Sequence, residues 1–221
     1  MRASVILALY LFLTSIGTSQ TQGTKKHLDM NFGSTTLAIP HKYLLPKLPP
    51  TIVPGTGLDA DSGVLIKVPL TDLGIEPVSR GGLTDSLIVL ISGTSNSEST
   101  AQLAPDTIDA WNAAGLYQDR IIEFDETVNL YRVYPRAGHP LIWQYFKASP
   151  LEGGSPEALW VASCMAPPGT DGTALIDISC QIISRYKSVE SQITLAGKNI
   201  QALDAINDGY CRLLARWDKA L

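Results

Sequence analysis

The sequence predicts an α+β protein: a mostly antiparallel sheet, or sheets, with a short middle helix and a long C-terminal amphipathic helix packed on the sheet. Three observations lead there. Apolar residues alternate at period two through a succession of short segments between positions 35 and 196. The turn-forming stretches PRAGHP and PPGTDGT separate neighbouring segments as hairpin loops do. From Ile200 onward the apolar period changes to three and four, the repeat of a helix with one buried face.

The chain opens MRASVILALYLFLTSIGTSQ, with Arg2 ahead of an apolar run at 3–16 and small residues at Gly17 and Ser19. This is the pattern of a cleaved signal peptide, 1–19. The run falls short of the roughly 20 apolar residues a membrane span needs, and no cysteine follows it to carry a lipid. Removal of 1–19 leaves 202 of the 221 residues. They are expected to form a single α+β domain, 20–221, with two subdomains at about 32–98 and 99–221 as the alternative. With 17 basic and 21 acidic residues in the whole chain and Arg2 lost, the mature side chains sum to −5. Mild acidity without a basic cluster argues against nucleic acid and anionic membrane as partners. The expected location is the periplasm, with the extracellular space as the alternative.

Residues 20–30, QTQGTKKHLDM, read as a polar lead-in. TTLAIP spaces Leu37 and Ile39 as a strand does and ends at Pro40. The stretch 40–63 holds five prolines and three glycines and is expected to be an extended loop, because proline lacks the amide hydrogen a sheet ladder needs. VLIKVPL puts Val64, Ile66, Val68 and Leu70 on one face, and Pro69 marks an edge strand. LIVLI, 87–91, is apolar on both faces, which predicts cover on both sides. A loop, GTSNSESTAQL, precedes the short helix expected at 105–115: Pro105 suits a first turn, Ile108, Trp111 and Ala114 share a face, and Gly115 can end it. RIIEF is a short strand. VNLYRVY (128–134) with LIWQYF (141–146), and ALWVASC (158–164) with TALIDISCQIIS (173–184), form two hairpins. QITLA (192–196) is a further strand, and a helix runs from about 199 to 219 with Ile200, Leu203, Ile206, Tyr210, Leu213, Leu214 and Trp217 on its apolar side.

Cys164 shares parity with Trp160 and Ala162, and Cys180 with Ile176, Ile178 and Ile182, so both sulfurs point to the apolar side of adjacent strands. In an exported chain the expected outcome is a Cys164–Cys180 disulfide. Cys211, beside Asn207 and Leu214 on the helix, is then a buried free thiol, with a bridge from Cys211 to either partner as the alternative. Tetrahedral zinc needs about four Cys or His ligands, and no histidine is near in sequence.

Residues for catalysis are sparse. There is no G-x-S-x-G elbow, and His27, His41 and His139 all fall in predicted loops or the lead-in. Glu123, Asp125 and Glu126 could supply paired carboxylates, although an acidic strand end is the plainer explanation. LDADSG starts like a calcium loop, but counting from Asp59 the sixth position is Val64 and the twelfth Leu70, where glycine and glutamate are required. No metal or cofactor is expected. Tyr131, Tyr134, Trp143, Tyr145 and Phe146 gather on one hairpin, as core or as a partner-binding patch.

The order TTLAIPHKYLLP, GVLIKVPL, the LYRVY hairpin, two cysteines on adjacent strands and the closing IQALDAINDGYCRLLARW resembles periplasmic immunity proteins of type VI secretion system toxin–immunity pairs, over roughly 32–217. Where that family usually carries an aromatic early in the last helix, this chain has Ile200 to Leu203. The resemblance implies a protein that is not an enzyme. It would bind and occlude a cognate toxin that attacks the cell envelope, of the lipase or peptidoglycan hydrolase class. It also implies partner contacts from the loops at 46–63 and 92–104, with Asp59, Asp61 and Glu98 as contact residues. Two other readings remain: an exported binding module for a small molecule or envelope component, and a hydrolase with a dispersed carboxylate site.

Overall fold

The computed structural model describes residues 26–45, 63–77, 81–93, 115, 118–136, 141–150, 159–167 and 178–220. Ten strands occur among them: β1 (His27–Phe32), β2 (Thr35–Pro40), β3 (Gly63–Pro69), β4 (Ser86–Gly93), β5 (Arg120–Asp125), β6 (Leu130–Pro135), β7 (Ile142–Phe146), β8 (Trp160–Met165), β9 (Ser179–Tyr186) and β10 (Val189–Ala196). A 3-10 turn, Gly197–Ala202, leads into the helix α1 (Leu203–Trp217). β1 and β2 form a separate hairpin, and the other eight strands form one sheet in the order β3-β4-β10-β9-β8-β7-β6-β5. Every pairing is antiparallel, and the sheet joins strands from both sides of position 98.

Alternation sets two faces. The inner face carries Ile66, Val68, Val89, Ile91, Ile193, Leu195, Cys180, Ile182, Ala162, Cys164, Trp143 and Tyr145, each no more than 5% exposed. α1 packs on this face at β9 and β10, against the turn that follows β3 and beside β2. Its buried residues Ile206, Gly209, Tyr210, Leu213, Leu214 and Trp217 follow the helical repeat. Tyr210 Oη and Ser191 Oγ are 2.9 Å apart in the core, and Ser184 Oγ donates to Asn207 Oδ1 at 2.6 Å. Gly209 allows close approach: a Cβ there would sit 2.9 Å from both Leu73 Cβ and Leu73 O. Beyond α1 the chain runs alongside β2, with Leu37 bridged to Asp218 and Lys219 N donating to Thr36 O at 3.0 Å.

The two tight hairpins meet. Gly33, with φ of +59°, turns β1 into β2 against Ser188. Ser188 Oγ reaches both Phe32 O and Thr35 Oγ1. Lys187, with φ of +51°, sends its ammonium to Asp218 Oδ2 at 2.6 Å, and Tyr186 Oη donates to the same oxygen at 3.2 Å.

The structure corrects three readings. The polar lead-in is half a strand: HLDMNF is β1, and its Leu28, Met30 and Phe32 alternate with polar residues. The cover expected on both sides of LIVLI is found on one side only among the described residues. Leu87, Val89 and Ile91 are buried, whereas Ile88 and Leu90 remain partly exposed. Cys211 is free but only half-buried, with its sulfur 3.7 Å from Ser184 Oγ. Among the described elements no helix intervenes between β4 and β5; positions 105–114, where one was expected, lie outside the described residues.

Cys164 and Cys180 are directly paired across β8 and β9 and joined by a buried disulfide. Three residue pairs make up that ladder among the described residues, against eight between β9 and β10. The staple thus secures a short seam. Replacing both cysteines by alanine is expected to lower the unfolding free energy by about 3 kcal/mol, read by urea titration. Amide protection should fall first along β8 and β9.

The Lys187 ammonium and the Ala220 amide hold the Asp218 carboxyl below its usual range, and the Asp218 carboxylate raises Lys187. A depressed carboxylate contributes stability that is complete above its unfolded pKa of about 3.9 and is lost as pH falls through the lower folded value. The raised lysine contributes below its unfolded pKa of about 10.4 and loses that contribution as pH rises through the folded value. Asp218→Asn should therefore be less stable than wild type at neutral pH, and thermal melts of the two should converge in strong acid.

Candidate partner interface

The half of the inner face that α1 does not reach is filled by large polar-tipped side chains. On β6 and β7 the guanidinium of Arg132 lies 4.1 Å from the Trp143 ring centre and 5.3 Å from that of Tyr134. Trp143 and Tyr145 meet edge to face, with centroids 6.3 Å apart. The nearby carboxylates are already engaged. Tyr145 Oη donates to Asp125 Oδ2 at 2.8 Å, and Asp125 Oδ1 also accepts the Thr127 amide at 3.0 Å as the β5–β6 turn begins. Tyr134 lies beside the Glu123 carboxylate. Burial, then the adjoining carboxylate, pushes both phenols above their ordinary value. Arg132 Nε and Nη2 and Trp143 Nε1 are buried without an acceptor in hydrogen-bonding geometry, so the aromatic faces carry the cation. This arrangement fixes side chains rather than poising an acid and a base. Among the described residues no group of three or more His, Cys, Asp or Glu side chains could hold a metal ion.

The outer face has a different character. An antiparallel sheet with one covered face ordinarily presents polar side chains on the other. Here the outer positions include Leu65, Ile88, Leu90, Ile183, Ile122 and Tyr131, all partly exposed. The large apolar residues most open to solvent are also here: Phe124 at 49%, Ile142 at 44% and Met165 at 54%. Ile142 and Met165 sit directly opposite each other, and Phe124 packs edge-on against Tyr131 with centroids 5.2 Å apart. Between them runs a chain of side-chain hydrogen bonds, from Trp160 Nε1 to Gln144 Oε1 (2.8 Å) and from Gln144 Nε2 to Ser163 Oγ (2.9 Å). Farther along, Gln192 Nε2 donates to Gln181 Oε1 at 3.1 Å. Leu159 and Trp160 pack over Val133 and Phe146 at one end; no other described element covers this face.

Asp59, Asp61 and Glu98, with the loops expected to present them, lie outside the described residues, as does His139. His27 is on β1 and His41 begins the 3-10 turn His41–Tyr43. The aromatic cluster on the β6–β7 hairpin divides between the faces, with Tyr134, Trp143 and Tyr145 inside and Tyr131 and Phe146 outside. Two adjoining concavities, lined by Thr71, Glu76 and Pro77 and by Lys67, Asp85 and Ser86, open to solvent beside the 3-10 turn Leu70–Leu73. The signal for the outer face was present in the sequence as LIVLI and LIWQYF, apolar at both parities; which parity stays open is a tertiary fact.

No protein-family model and no curated protein sequence matches the chain. In architecture it is similar to Smlt3025, described as an immunity protein of the Stenotrophomonas maltophilia type IV secretion system. The TM-score is 0.51 at 10% sequence identity, covering 88% of this chain and 94% of that one. At that identity the likeness establishes a shared fold.

Proposed function

We propose that the mature protein is a non-catalytic inhibitor, an immunity protein that binds and neutralises a cognate antibacterial toxin at the cell envelope. The observation that carries this reading is the fold shared with an immunity protein over 88% of the chain. The amino-terminal export pattern and the buried Cys164–Cys180 disulfide agree with an oxidising compartment, the periplasm, where an incoming envelope toxin would be met. The sequence resemblance pointed to type VI pairs and the solved counterpart serves a type IV system; the fold does not specify the delivery machinery. A lipase or peptidoglycan hydrolase is the toxin class that an exported inhibitor suits.

The test is co-expression in a bacterial host with the product of the adjacent gene directed to the periplasm. The exported protein should restore viability by orders of magnitude, and a form lacking residues 1–19 should not. Equal killing with and without the exported protein, together with no complex on size exclusion, rejects the reading. Ester or glycan hydrolysis by the protein alone, abolished by Glu123→Gln, would place it among enzymes instead.

A further inference from the structure

Resting on that reading, we infer that the outer face of the eight-stranded sheet is the toxin-docking surface, and that its occupant is a protein surface that offers both apolar and acidic groups. The apolar requirement comes from Phe124, Ile142 and Met165, the three large hydrophobic residues that stand 44–54% exposed, all on this one face. The acidic requirement comes from charge. The ionisable residues at outward positions of the eight strands are Lys67, Arg120, Arg185 and Glu190, and Glu190 is ion-paired to Arg185 at 3.0 Å. The face therefore sums to +2 on a chain whose formal charge is −4. Size agrees as well. Eight strands spaced by about 4.8 Å and about six residues long give a face of roughly 34 by 20 Å, close to the about 800 Å² per partner of a standard interface.

The surface is also preorganised. Gln192 holds Gln181, so a polar group that a partner would meet loses little freedom on binding, and beneath the surface the fully buried Gln144 amide is fixed by Trp160 and Ser163. Met165 and Ile142 pair at the end of the β7–β8 ladder, next to the disulfide-tied β8–β9 pair.

The experiment titrates the mature protein and its variants against the purified adjacent-gene product, by calorimetry and by protection from killing. Met165→Glu and Ile142→Glu should each weaken binding by about tenfold or more. Lys67→Glu should weaken it severalfold, with the difference shrinking as salt rises. Asp208→Lys and Arg212→Glu, on the exposed side of α1, should leave it unchanged. Thermal melts check each fold; Met165→Ser and Lys67→Glu keep the test alive should Ile142→Glu unfold. Tight binding by wild type and equally tight binding by the outer-face variants overturns this surface while leaving the immunity reading standing. A wild type that neither binds nor protects overturns both. Self-association of the protein alone, abolished by Met165→Glu, would assign the face to a second copy and overturn the toxin assignment.

Discussion

The one helix among the described residues cannot cover an eight-stranded sheet, and much of the described structure follows from that mismatch. The 15 residues of α1 make a rod about 22 Å long and 10–12 Å wide, whereas the sheet is about 34 Å across. Specific contacts decide which strands it covers. Tyr210 meets Ser191 on β10, Asn207 meets Ser184 on β9, and Gly209 presses on Leu73 after β3. The chain beyond the helix is then caught by β2 and by Lys187, which fixes the helix end as well as its start. Among the described residues the other half of the inner face is filled by Trp143, Tyr145 and the Arg132 stack.

The same mismatch locates the covalent bond. β8 and β9 form the seam between the helix-covered half and the aromatic half, and their described ladder is three pairs long. A disulfide at the centre of that short ladder ties the two halves together covalently. Cys164 stands opposite Trp143 across β7 and β8, and Cys180 opposite Leu195 across β9 and β10, so the bridge belongs to both packing environments at once. Cys211 has no such position. It stays half-buried against Ser184 and Arg185.

Much of this was legible from periodicity. Parity alone assigned both bridge cysteines to the inner face, and the change of period after Ala196 marked the closing helix to within a few residues. β1 was missed because His27, Asp29 and Asn31 make HLDMNF look polar, although its apolar residues keep the two-residue rhythm. The insertion of β4 between β3 and β10 joins residues about a hundred positions apart, which no local pattern encodes. For the binding surface, charged residues in Gly- and Pro-rich loops drew attention to Asp59, Asp61 and Glu98. Those residues lie outside the described ones, and the exposed face of β5 to β8 is written in strands apolar at both parities, where a buried sandwich and an open face read alike until the covering layer is known.

An open apolar sheet face carries a hazard, since two copies could pack face to face or edge to edge. The edges differ. β3 is blocked by Leu45, whose amide donates to Leu65 O at 3.1 Å, and by the terminal Pro69. The face is guarded by charge: in an isologous dimer Lys67, Arg120 and Arg185 of one copy would approach the same residues of the other, and Glu190 is already spent on Arg185. Like charges brought together in a desolvated interface are costly. The charges that turn a second copy away are the ones that would draw in an acidic partner, so solubility before encounter and steering during it arise from the same residues.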